Sequence, residues 1–133
     1  MTKRGAYDNV LQATMLIKEH KEKTMTINEY QKLAMTTLNP ELSEKDVLIN
    51  GVMGLCGESG EVIDIVKKWL AQGHELDKEK IIKELGDVAW YIAEISHVLG
   101  VKLEDVLQGN IDKLKARYPE GFSADASKNR TEN

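Results

Sequence analysis

Cysteine and proline are scarce in this chain. Cys56 is the single cysteine, which excludes an internal disulfide and any cysteine-based zinc site. Only Pro40 and Pro119 interrupt the sequence, and aromatic residues make up just 5% of it. No apolar run approaches the ~18 residues of a membrane span. The opening stretch MTKRGAYDNV has no apolar segment behind its basic residues, so it does not read as a secretion signal. A basic excess is also missing: the net charge is −4. That argues against a nucleic-acid polymer as partner, while a small anionic ligand stays open because local charge can differ from net charge. These absences lead to the expectation of a cytoplasmic protein without a membrane anchor.

What is present favours an all-α fold. The 133 residues suffice for one domain, with 41% hydrophobic and 30% charged residues. Residues 6–19 predict a short amphipathic helix with Tyr7, Val10, Leu11, Thr14 and Ile17 on one face, followed by the polar run KEHKEK at 18–23. TINE (26–29) is a capping box, and Ile27, Tyr30, Ala34 and Leu38 follow at helical spacing up to Pro40. Ser43 can cap a long helix over 44–72. Its apolar residues form two stripes: Leu48, Val52, Leu55, Val62, Val66 and Trp69, and Ile49, Met53, Cys56 and Ile63. A helix apolar on two sides belongs inside a bundle or at a dimer interface. GHELD (73–77) is a turn in which Asp77 can cap the next helix, from Lys78 to Leu99. The stripe there is Ile81, Leu85, Val88, Ile92, Ile95 and Leu99, closed by Gly100. A last helix, 103–117, should bury Leu103, Val106, Leu107, Ile111 and Leu114 before Pro119 stops it. The tail 123–133 has no strong apolar content and is expected to be disordered.

Two carboxylate pairs stand out. Glu58 and Glu61 are three apart on the long helix, and Glu84 and Asp87 are three apart on the next, so each pair shares a helix face. The short turn between the helices makes them antiparallel neighbours. Folding the chain at Gln72–Gly73 puts Glu58 opposite Asp87 and Glu61 opposite Glu84, with heights matched to about one turn. Four carboxylates meeting there repel unless neutralised. A hard divalent cation solves this, Mg²⁺ or its alternative Mn²⁺, because the ligands are all oxygen. A di-iron bundle would instead want Glu-x-x-His on two helices, and no histidine sits in either motif. Ordinary surface charge is the competing explanation for any single pair. Gly51, Gly54, Gly57 and Gly60 surround Glu58 and Glu61. Each costs ~1 kcal/mol of helix propensity, and together they bare the backbone to a packed helix or to a ligand.

Cations sit at matching spacings. Lys80 and Tyr91 share the face of Glu84 and Asp87, and Lys68 lies seven past Glu61. Asn110, Lys113 and Arg117 line one side of the last helix. Carboxylates for a metal beside lysine and arginine suit a polyphosphate. Taken singly, each of these is also what a solvated helix face carries.

GESGEV with Glu58 and Glu61, KELGDVAWY with Glu84 and Asp87, and the ending NIDKLKARYPEGF together resemble the all-α nucleoside triphosphate pyrophosphohydrolases of the MazG type. The resemblance covers 25–122 and leaves 1–24 as an N-terminal extension. It implies an antiparallel helical bundle that oligomerises, as a dimer or tetramer, with Mg²⁺ held between two facing helices by Glu58, Glu61, Glu84 and Asp87. One of the four would also orient or deprotonate the attacking water. Lys80 matches a phosphate-contacting lysine, and Lys113 and Arg117 match basic residues near the family's end; Asn110 carries over to sugar or phosphate. The implied reaction cleaves a nucleoside triphosphate to monophosphate and pyrophosphate, clearing non-standard or surplus (deoxy)nucleotides. Two alternatives stand beside it: a non-catalytic helical module that senses nucleotide or binds a partner, and phosphoribosyl-ATP pyrophosphohydrolase.

Overall fold

A computed structural model describes residues 24–129, and within them every regular element is a helix. The helix expected at 6–19 and the polar run after it lie outside the described residues. Five helices follow in order: α1 Ile27–Met35, α2 Glu44–Gln72, α3 Lys78–Val98, α4 Leu103–Arg117 and α5 Ala124–Lys128. None of the described helices is long and apolar enough to cross a membrane.

Local chemistry explains the helix ends. Thr26 opens α1 through the expected capping box: its hydroxyl accepts from Glu29 N–H at 3.2 Å, and the Glu29 carboxylate accepts from Thr26 N–H at 2.7 Å. α1 stops at Met35, short of Leu38, because the Thr36 and Thr37 hydroxyls donate back to the carbonyls of Leu33 and Ala34, an alternative to continuing the helix. Ser43 caps α2 and Asp77 caps α3, each accepting from the N–H three residues on. Gly73 and Gly100 follow α2 and α3 with φ of 71°, a left-handed conformation suited to glycine. Within the tail expected to be disordered, Ser123 accepts from Ala126 N–H and nucleates the single turn of α5.

α2 and α3 form a long antiparallel hairpin; α1 packs on α3, and α4 packs on both α1 and α3. The core cluster is Ala34, Ala93 and Leu103, surrounded by Tyr30, Met35, Trp90 and Ile92. Trp90 ties α3 to the end of α1, its indole N–H donating to the Thr37 hydroxyl at 2.8 Å and to the Ala34 carbonyl at 3.1 Å. Gln31 ties α1 to α4. Lys102, in the N-cap position, makes no capping bond, and the remote Gln31 Oε1 accepts from Leu103 N–H instead, at 2.8 Å. Gln31 Nε2 donates to the Val101 carbonyl.

The buried side of α2 is neither of the two apolar stripes. Met53 is 68% and Ile63 66% exposed. α3 lies instead along Val47, Gly51, Gly54, Glu58 and Ile65, at steps of four, three, four and seven, which keep one helix face. Glycines and a glutamate do not register as an apolar stripe, yet they let the helices approach closely. On α3, Leu85 and Leu99 of the expected stripe are exposed. On α4 only Leu103 is buried; Val106, Leu107, Ile111 and Leu114 are exposed.

Candidate metal centre

Glu58 reaches from α2 between Glu84 and Asp87 of α3, and one carboxylate oxygen from each lies within 4.8 Å of the others. The antiparallel pairing expected from the sequence to about one turn brings Glu58 to Asp87, while Glu61, expected opposite Glu84, stands outside the group. The same register sets Tyr91 on Gly54 and Glu94 beside Gly51. The Tyr91 ring occupies the place where a Cβ on residue 54 would stand, so that glycine is required by close approach. Gly57 and Gly60 have open space around them.

The electrostatics are those of gathered carboxylates. Partial burial is the first cause holding the Glu58 carboxyl above its ordinary 4.5; the charges of Asp87 and Glu84, a hydrogen bond shared with Glu84, and Glu61 add to it. Among the described residues no lysine, arginine or histidine forms an ion pair with the three. An all-oxygen, all-anionic, cation-free set of this size fits a hard divalent ion.

The remaining expected site residues are distributed as follows. Glu61 is exposed and stands outside the three-carboxylate group, close enough to add its charge to Glu58. Lys80 is exposed one turn before Glu84. Tyr91 packs edge-on against Trp90, with ring centroids 5.0 Å apart. Lys68 turns to Asp64 at 2.5 Å, and Lys67 meets the same carboxylate at 2.7 Å. Lys67 first, then Lys68, lowers Asp64 to about 2. Asn110 and Lys113 are exposed on α4, and the Arg117 guanidinium lies 6.0 Å from the Tyr118 ring centroid. No hydrogen bond or ion pair among the described residues joins these three to the carboxylates. One residue near the site was read from the sequence only as apolar: Tyr30 of α1. Burial raises its hydroxyl's pKa, and the nearby Asp87 charge raises it further.

The MazG nucleotide pyrophosphohydrolase domain matches residues 49–122, from within α2 to beyond the end of α4. The chain belongs to that family. It is similar to the gene 37 protein of Mycobacterium phage L5, at 38% identity over 82 residues, which is 59% of this chain and 72% of that protein. No solved structure matches the chain.

Proposed function

We propose that this protein is a Mg²⁺-dependent pyrophosphohydrolase that converts nucleoside triphosphates to monophosphates and pyrophosphate, and that it clears non-standard or surplus (deoxy)nucleotides. The observation that carries the proposal is the convergence of Glu58, Glu84 and Asp87, without a cation partner, in a chain of this family. These three would hold the ion, Mg²⁺ or Mn²⁺. When bound, it would activate water and neutralise the phosphate oxygens at the α–β bridge. Glu61, one turn along α2, is the candidate to orient that water and take its proton. Lys80 binds a phosphate beyond the ion, and Tyr91 borders the substrate next to it.

The exposed apolar residues of α2 and α4 support a homo-oligomer, dimer or tetramer, because large exposed apolar patches mark association surfaces. In that assembly Asn110, Lys113 and Arg117 would face a neighbouring copy's carboxylates and hold the departing pyrophosphate. Lys68, already engaged by Asp64, contributes charge at a distance.

The test is product identity across a panel of ribo- and deoxynucleoside triphosphates, followed by phosphorus NMR with Mg²⁺ and with EDTA. The proposal expects monophosphate and pyrophosphate with Mg²⁺ only. Diphosphate and orthophosphate would overturn the bond assignment. A tight complex that leaves every nucleotide intact would favour the non-catalytic module. Turnover of phosphoribosyl-ATP alone would reassign the substrate.

A further inference from the structure

Glu94 is the largest fully buried side chain among the described residues, with 0% exposure. Its two oxygens share a single donor group: Asn50 Nδ2 lies 3.0 Å from Oε1 and 3.2 Å from Oε2. No cation pairs with it among the described residues. Burying a carboxylate on so few bonds is costly, and an apolar side chain of similar volume would stabilise such a place better. Buried polar pairs of this kind are best known for fixing which residues face each other between helices.

The hairpin needs such a device. On the α2 face toward α3, a Cβ at Gly51 would stand 2.7 Å from Ile95 Cγ1 and one at Gly54 would meet the Tyr91 ring, while Gly57 and Gly60 meet nothing within 4 Å. The short turn sets the pairing only to about one helical turn, and these two contacts together with the Asn50–Glu94 bond narrow it. A slip of three residues would carry Glu58 ~4.5 Å along α3. Those three carboxylate oxygens lie within 4.8 Å of one another, so a shift of that size would carry Glu58 out of its present place and bring Glu61, three residues on, to its height. Glu94 is two turns from Asp87 on the same face of α3, and Gly51 clears the room beside it; a Cβ there would stand 3.5 Å from Glu94 Oε2.

We propose that Asn50 and Glu94 are positioning residues whose part-buried amide–carboxylate bond selects the helix register in which Glu58 meets Glu84 and Asp87. The proposal rests on the metal reading of those three carboxylates.

The test measures Mn²⁺ binding alone, by electron paramagnetic resonance, on full-length protein whose folding is checked by circular dichroism. Asn50→Asp sets two carboxylates against each other and should weaken Mn²⁺ binding by about 10-fold or more, the scale seen when support of a metal ligand is lost. Asn50→Asp with Glu94→Gln rebuilds the pair in the opposite sense and should restore binding. A folded Asn50→Asp that binds as wild type overturns the pin while leaving the metal site intact. A swapped pair that stays as weak as Asn50→Asp overturns it too, since Glu94 would then act through its own charge. Should Asn50→Asp not fold, Asn50→Leu replaces it in the comparison with the swap. Wild-type protein that binds no Mn²⁺, like a Glu84→Gln control, overturns the pin and the metal reading together.

Discussion

Gly54→Ala and Gly57→Ala are the same substitution three residues apart on one helix, yet only Gly57→Ala should stabilise. Neither glycine has a positive φ, so alanine suits both backbones and each gains up to ~1 kcal/mol of helix propensity. At Gly57 nothing lies within 4 Å of the new Cβ, so that gain should appear almost whole. At Gly54 the Cβ would fall inside the Tyr91 ring. A ring edge-packed against Trp90 cannot turn aside as the tip of a lysine could. Overpacking of this kind costs roughly 1–3 kcal/mol. After the propensity gain, Gly54→Ala should be neutral to ~2 kcal/mol destabilising, leaving a gap between the two variants of ~1–3 kcal/mol. Urea denaturation at one fixed protomer concentration measures it, since association would otherwise shift the midpoints. Tyr91→Ala in the Gly54→Ala background should erase the overpacking component. If Gly54→Ala stabilises as much as Gly57→Ala, the close approach of α2 and α3 at Tyr91 is wrong, and the register built on it falls.

The pH dependence of stability should show two separate windows. Glu58 holds its proton more tightly folded than unfolded, so metal-free protein should lose stability as pH rises from 4.5 through the raised value; Mg²⁺, which binds the deprotonated form, should turn that loss into a gain in thermal melts. Asp64 behaves oppositely: its contribution is present above its ordinary 3.8 and fades as pH falls toward about 2, and Asp64→Asn should remove that acid-side slope. Gln31→Ala should destabilise by ~1–2 kcal/mol, because Leu103 N–H loses its remote cap. Lys102→Asp, which offers a local cap, should recover most of that loss in chemical denaturation.

Helix ends, and the hairpin register to about one turn, were legible in the sequence because local chemistry dictates them. Ser43, Asp77, Gly73 and Gly100 mark the limits of α2 and α3, and a short turn leaves few ways to pair Glu58 with Asp87. The packed faces were less legible. Hydrophobic periodicity looks for large apolar residues, whereas α3 chose the glycine side of α2 and left Met53 and Ile63 outside. The capture of Lys68 by Asp64 competes with any role at Glu61, and helical spacing permits both. Gln31 and Glu94 were illegible for another reason. Their partners, Leu103 and Asn50, are 72 and 44 residues away in the chain, and only the tertiary fold brings them together.

The proposed function requires that Glu58, Glu84 and Asp87 form one metal site that drives phosphoanhydride cleavage. The most direct measurement is the rate of pyrophosphate release against Mg²⁺ concentration for wild type and Glu84→Gln. Mg²⁺-dependent release by the wild type is expected, with a fall of about 100-fold or more in the variant, at least what loss of a ligand's support costs. Equal rates and equal Mg²⁺ dependence in the two proteins would contradict it.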